Sequence, residues 1–323
     1  MPHGYMMNTE IDKQHLRLQI ERHYQSLRGV QPEHYISGMH DNYLLQDGGN
    51  TYILRVYHHH WRTQDEVQYE LALLQFLANK NCPVVAPLHT DQGNTSFMIQ
   101  TVKGDRLAAL FTFIEGDAPQ HDMSSQQATV LGQGLARIHL ASADFVTSYR
   151  RQRLDTEYLL HQSCNVITPY LSAAQQRTLH DMVSAIDTAL PDLPMTSPCL
   201  TICHGDPNPG NLLFDATGEL YLIDFDQCGP GWRVFDIAKF LAAIHRHDQL
   251  LSIKQACVKG YNNISQLSAI EMEALPLLAQ MAAIWVAAIQ VYNRPLTAAR
   301  LADQDRWQQR LAVISKLPEL LAG

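Results

Sequence analysis

Long runs of lysine and arginine are missing from this 323-residue chain. Its 24 basic residues are scattered and outnumbered by 32 acidic ones, for a formal charge of -8. No nucleic-acid partner is therefore expected, because phosphate backbones demand a concentrated basic face. No apolar run reaches the roughly eighteen residues of a spanning helix. The longest stretch, Met281 to Val291, is interrupted by Gln290, so no membrane partner is expected either. The opening residues, Met1-Pro2-His3-Gly4-Tyr5, have neither a basic start nor an apolar core, and no secretory signal is expected. Cysteines number only six; Cys199 and Cys203 stand four apart with no second pair, and they read as packing residues rather than metal ligands. Internal repeats and low-complexity linkers are lacking too. What these absences leave is a cytoplasmic globular protein, and 46% apolar residues are ample for one large domain or two lobes.

Against that background one segment stands out: Cys203-His204-Gly205-Asp206-Pro207-Asn208-Pro209-Gly210-Asn211, followed by Ile223-Asp224-Phe225-Asp226. Asp206 lies five positions before Asn211, the spacing of the catalytic loop of protein kinases, and Asp224 closes a short strand beyond it. Phosphoryl transfer to a hydroxyl needs an acceptor for the hydroxyl proton, a role that suits Asp206. It also needs oxygen ligands for magnesium, a hard cation that keeps several waters, and Asn211 and Asp224 suit that role. Leu212-Leu213-Phe214, a turn at Asp215-Ala216-Thr217-Gly218, and Leu220 to Ile223 read as a hairpin that would return Asn211 and Asp224 to one end. A metallophosphatase would use similar residue types, but the Gly-Asn-His-Asp segment it needs is absent.

This pattern resembles the aminoglycoside phosphotransferase and choline kinase superfamily, the small-molecule branch of the protein-kinase-like fold. The likeness extends through Tyr52 to Tyr57, the Glu70 helix, Phe111 to Gly116, Leu135 to His139 and Phe235 to Ala238, roughly residues 30 to 245. Its nearest branch holds type II homoserine kinases, hydroxylysine kinase and a bacterial stress-response serine/threonine kinase. The resemblance implies an α+β, bilobal fold: a small N-terminal antiparallel-sheet lobe with one key helix (1–110), a hinge (111–116) and a larger, mainly helical lobe (117–323). It also implies ATP and magnesium as cofactors and a small-molecule hydroxyl acceptor. A protein serine/threonine kinase and a nucleotide-binding pseudoenzyme stay open as alternatives, and the oligomeric state is left open.

The rest of the chain fills in this frame. Ile11 to Leu27 reads as an amphipathic opening helix, followed by strands at Tyr35-Ile36, Tyr43 to Leu45 and Thr51 to Tyr57, the last two joined by a turn at Asp47-Gly48-Gly49-Asn50. The connection Ser37 to Asn42 sits where a kinase covers the nucleotide phosphates. Gly38 would permit close backbone approach there, and Asn42 matches the family loop. Thr63 and Glu66 fit a capping box, so a helix should begin there, with Val67, Leu71, Leu74 and Ala78 on its buried stripe. Glu70 falls among them, and a carboxylate on an apolar stripe demands a partner. That partner is expected to be Arg55, which stands where kinases have a phosphate-gripping lysine. Thr95 to Thr101 and Leu107 to Thr112 read as strands, and Phe111, Thr112, Phe113 and Ile114 as the segment around the adenine ring. Helices are expected from Ser124 to His139, Ala173 to Leu190, Phe235 to Ile244 and Glu271 to Tyr292.

Several other polar residues read as structural. His58-His59-His60 is an exposed loop, His139 a hydrogen-bonded histidine under the catalytic loop, and His204 an orienter of Asp206. Asp236 is expected to cap the next helix and brace the loop. Asp226 could approach a metal or a substrate amine, or cap the following turn.

Overall fold

A computed structural model describes residues 11–58, 61–119, 123–292 and 301–322; His59 and His60 lie outside them. The chain divides into two units. One takes the residues up to Asn79, Val84–Glu115 and Thr147–Arg150; the other takes Lys80–Pro83, Gly116–Val146 and the chain from Arg151 onward.

In the first unit the opening helix α1 (Lys13–His23) is shorter than predicted. Asp12 caps it by accepting from the His15 amide, and Tyr24 turns to extended geometry, leaving Gln25–Leu27 as a separate 3-10 turn. An antiparallel sheet follows: β1 (Glu33–Ser37), β2 (Asp41–Asp47) and β3 (Asn50–Val56), then helix α2 (Gln64–Asn79), β4 (Pro87–Leu88), β5 (Phe97–Ile99) and β6 (Arg106–Thr112). The strand order is β1-β2-β3-β6-β4, with β5 also on β6. Period-two alternation decides the two faces. Tyr43, Leu45, Leu54, Val56, Ala108 and Leu110 pack against Leu16 and Ile20 of α1 and against Tyr24 just beyond it, whereas Tyr57, Leu107 and Ala109 meet Val67 and Leu71 of α2. The capping box of α2 forms, with the Glu66 amide donating to Thr63 Oγ1 at 3.2 Å and the Thr63 amide to Glu66 Oε2 at 2.9 Å.

The second unit is mainly helical. It begins with α3 (Ser125–Ala141), capped by a Ser124–Gln127 box, and continues through a π-helical turn (Glu157–Gln162) into α4 (Ser163–Ile167) and α5 (Ala173–Ala189). Four short strands follow, β7 (Leu200–Cys203), β8 (Leu212–Phe214), β9 (Leu220–Leu222) and β10 (Gly229–Trp232), and then helices α6 (Val234–Ala243), α7 (Leu250–Asn262), α8 (Ala269–Tyr292) and α9 (Gln304–Leu321). Helices α7 and α9 go beyond the sequence reading, although Leu250, Ile253, Cys257 and Tyr261, and likewise Trp307, Leu311, Ile314 and Leu321, carry the helical spacing that reveals them.

The apolar stretch that ends at Val291 is longer than expected. It belongs to the 24-residue α8, long and apolar enough by length and composition to cross a bilayer. Yet 67% of its apolar window is buried inside the protein, where it packs on α4, α6 and α9. Glu271, Glu273 and Pro276 in its first turns hide this length from a scan for unbroken apolar runs.

Candidate active site

The Asp206 loop leaves the end of β7, which is held antiparallel to β10 with Cys203 opposite Gly229. Gly205 adopts φ +83, and a Cβ there would stand 2.1 Å from the carbonyl oxygen of Gln227, so only glycine fits the turn. The two preceding amides are gripped by one carboxylate: His204 N donates to Asp236 Oδ2 at 2.7 Å and Gly205 N to Oδ1 at 2.8 Å. His139 Nε2 reaches the same Oδ2 at 2.9 Å, and its Nδ1 lies 2.9 Å from the Tyr261 hydroxyl. Burial works against the Asp236 carboxylate, but these hydrogen bonds and the adjacent imidazoles hold it below the usual carboxylate range. Asp236 thus braces the loop as expected. It does not cap α6, because its oxygens are given to the loop.

His204 is fully buried and links the two halves of the motif. Its Nε2 faces the Ile223 carbonyl at 3.0 Å and therefore carries the proton, leaving Nδ1 to accept from the Asp206 amide at 3.2 Å. Burial lowers its pKa, in keeping with a neutral ring. The hairpin pairs Leu212 with Leu222, and Ile223 N donates to Asn211 O at 3.0 Å, so Asn211 and Asp224 stand at the same end. Asn211 donates its Nδ2 to the Asp206 carbonyl at 2.8 Å, which leaves its side-chain oxygen without a hydrogen-bond partner among the described residues. Asp224 sits in the left-handed region, φ 63 and ψ 65, a conformation that costs a non-glycine residue about 1–3 kcal/mol and that structure elsewhere must enforce. An amide oxygen and a carboxylate at one hairpin end are the hard donors that magnesium takes.

Two cations at this site escape the sequence reading. Lys239 of α6 is ion-paired with Asp206 Oδ1, its side chain only 5% exposed. Arg151 donates through Nε to the Cys228 carbonyl at 2.6 Å and also to that of Asp226. The signal for Lys239 was present: the one basic residue on a helix otherwise rich in buried apolar residues, a reasoning like that which singled out Glu70. Asp226 is buried within the 3-10 turn Phe225–Gln227, where Gln227 Nε2 donates to its Oδ2 at 3.3 Å.

In the first unit, Arg55 Nη1 meets Glu70 Oε1 at 3.4 Å, and Tyr57 donates its hydroxyl to the same oxygen at 3.3 Å. Glu70 is wholly buried, and the Arg55 guanidinium lies 6.0 Å from the centre of the Phe111 ring. Asn42 belongs to β2, not to the preceding connection, and pairs in register with Arg55, because the strand begins at Asp41. The connection is reduced to Gly38-Met39-His40, and a Cβ on Gly38 would meet nothing within 4 Å. Asp41 steadies that turn, accepting from Ser37 Oγ at 2.8 Å and Arg106 Nη1 at 2.7 Å. Of the segment assigned to the adenine ring, Phe111 and Thr112 are ladder residues of β6 and the Phe113 amide still donates to Thr51 O at 2.9 Å; Ile114 follows outside the ladder.

His139, Cys203 and Asp236 converge as a metal site would, with ligand atoms within 4.8 Å of one another. Burial pushes the Cys203 thiol well above its usual pKa, and its Sγ donates to the Trp232 carbonyl at 3.3 Å. A protonated thiol and a carboxylate already holding two amides do not make a metal site. All six cysteines are buried and none forms a disulfide, Cys199 and Cys203 included.

Residues 35–276 match the family described as the phosphotransferase enzyme family. The chain belongs to this family. It is 39% identical over 282 residues to an uncharacterized protein of Synechocystis sp., covering 87% of this chain and 78% of that one. A homoserine kinase of Rhodopseudomonas palustris is 30% identical over 250 residues, 75% of this chain and 73% of the relative. Among solved structures, an amicoumacin kinase in complex with AMP-PNP, Ca2+ and Ami superposes with a TM-score of 0.78 at 18% identity, covering 96% of this chain and 94% of that one. A microcompartment-associated aminopropanol kinase gives the same score and identity over 95% and 96%. These structural likenesses speak to the fold, the protein-kinase-like α+β fold with an antiparallel sheet in the N-terminal region and helices beyond. As a member of this phosphotransferase family the protein is a kinase.

Proposed function

We propose that this kinase moves the γ-phosphoryl group of ATP, with magnesium, onto the hydroxyl of a small molecule of the amino alcohol, amino acid or sugar class. The observation that carries the reading is the hairpin that puts Asn211 and Asp224 at one end, with Asn211 bonded to the Asp206 carbonyl and Asp236 and His204 holding the Asp206 loop. Asp206 orients the acceptor hydroxyl and takes its proton. Asn211 and Asp224 would hold magnesium, which when bound supplies charge neutralisation on the phosphate oxygens. Arg55, steadied by Glu70, grips the phosphates with a fork of donors. Gly38 and Asn42 line the phosphates, and Phe111 to Ile114 flank the base. In this reading residues 1–110 form the nucleotide lobe, 111–116 the hinge and 117–323 the catalytic and acceptor lobe.

Homoserine and aminopropanol, named by two of the similar proteins, are both small alcohols that carry an amine. We therefore place an amine-bearing alcohol first among the acceptors. The test is a panel of L-homoserine, 1-amino-2-propanol, choline, L-serine and simple sugars with MgATP, followed by ADP release and phosphorus NMR of the product. A phosphorylated amine-bearing alcohol, with turnover abolished by EDTA, is the expected result. Acceptor-independent ADP release across the whole panel would remove the amine-bearing class, and turnover that persists in EDTA would remove the metal role of Asn211 and Asp224.

A further inference from the structure

We propose that Lys239 is a positioning residue of the phosphoryl-transfer site: its ammonium tethers one oxygen of Asp206 so that the other is presented to the acceptor hydroxyl. This rests on the reading of Asp206 as the proton acceptor. The pair is asymmetric in exposure, 5% for the Lys239 side chain against 27% for that of Asp206. A buried ammonium is costly without a partner, so the contact with Oδ1 is where Lys239 is driven to stay. Oδ2 of Asp206 makes no hydrogen bond among the described residues, which leaves it for a proton that arrives from outside the chain.

The loop has no cation of its own to do this. Between Asp206 and Asn211 lie only Pro207, Asn208, Pro209 and Gly210, and the Asn208 side chain is given to the Gly210 amide at 2.9 Å. The charge comes instead from α6, and the spacing on that helix explains how. Asp236 and Lys239 are three residues apart and share a face. From that face Asp236 fixes the backbone of His204 and Gly205, while Lys239 fixes the side chain of Asp206. A carboxylate held only by its backbone would rotate about its side-chain torsions; held by one oxygen as well, it keeps the geometry that a near-attack arrangement requires. The helix is itself anchored, buried along most of its length and packed on α8.

The test measures steady-state ADP release from MgATP, with L-homoserine and with water alone as acceptor, for the full-length wild type, Lys239→Met, Lys239→Arg, Asp206→Asn and the double variant Asp206→Asn/Lys239→Met. Lys239→Met is expected to lower kcat by about 10- to 100-fold, the scale of a displaced catalytic group, while the KM for MgATP moves less than about twofold. Lys239→Arg should recover part of that loss. In the Asp206→Asn background Lys239→Met should cost nothing further, because a residue that acts through Asp206 has nothing left to position. Undiminished kcat in Lys239→Met, or an equal loss in both backgrounds, overturns the proposal. If Lys239→Met does not fold, Lys239→Gln is read by the same criteria. Near-wild-type turnover of Asp206→Asn would instead overturn the reading of Asp206, a result distinct from either.

Discussion

His204 and Gly205 show how a two-residue step can commit a loop. The neutral imidazole accepts from the Asp206 amide and donates to the Ile223 carbonyl, so a proton added to Nδ1 would remove one of these bonds and place a charge in a buried site. Burial lowers this pKa from the ordinary 6.5, which means that the unfolded chain binds the proton more readily than the folded one. The stability contributed is then complete above about pH 6.5 and is lost as the pH falls below it. Melting temperatures measured from pH 7.5 to 5.5 should fall more steeply for the wild type than for His204→Gln, and parallel slopes would contradict this. At Gly205 the left-handed backbone and the 2.1 Å approach of a Cβ to the Gln227 oxygen act together. Gly205→Ala should cost about 2 kcal/mol or more in urea unfolding. Of these features the sequence shows the residue types and their order. The reason for the glycine lies on the neighbouring turn, 22 residues away, which no local pattern records.

Among the elements, the hairpin of β8 and β9 is the best predicted and the α3–α7 pair the least. A two-strand hairpin closes on itself through a short turn, so Leu212 to Ile223 can be read without the rest of the chain. The crossing of α3 and α7 depends on two glycines far apart in sequence. A Cβ on Gly132 would lie 2.0 Å from the Cys257 carbonyl oxygen, and one on Gly260 would lie 2.1 Å from that of Thr129. The backbones approach as closely as they do because neither helix carries a side chain there. The same crossing places Tyr261 of α7 beside His139 of α3, the first link of the chain of contacts that runs through Asp236 to the Asp206 loop. Gly132→Ala should therefore force the helices apart and destabilise the fold by about 1–3 kcal/mol, as overpacking does. It should also lower turnover although the substitution touches no group of the site. Chemical denaturation and ADP release measured together would check this, and unchanged stability would refute it.

For the molecule as a whole, ligand linkage offers the most direct check of the magnesium and nucleotide reading. A ligand that binds only the folded state stabilises it by about 2.7 kcal/mol at a concentration 100 times its Kd. MgATP at such a concentration should raise the melting temperature, ATP with EDTA should do so much less, and Asp224→Ala should respond alike to both. An equal shift with and without metal would count against Asn211 and Asp224 as its ligands. Whole-molecule context also decides the fate of α8. Its composition would suit a bilayer, but packing against α4, α6 and α9 makes it a core helix, and Arg233 joins its Glu271 at 2.6 Å to the start of α6.

The sequence by itself determined the candidate set, Asp206, Asn211 and Asp224, proposed to bear the reaction, because their spacing and the hairpin between them are short-range properties that survive without tertiary context. It determined the demand for a partner at Glu70 for a similar reason, since helical periodicity alone puts that carboxylate on an apolar stripe. Only the tertiary structure decided which atoms meet across long separations: Lys239 with Asp206, both Asp236 oxygens with the loop amides rather than with the end of α6, Arg151 with the Asp226 and Cys228 carbonyls. These contacts join residues 31 to 77 positions apart, and what selects them is the burial of charge and the satisfaction of buried amides, which operate on the packed chain and leave no period in the linear one.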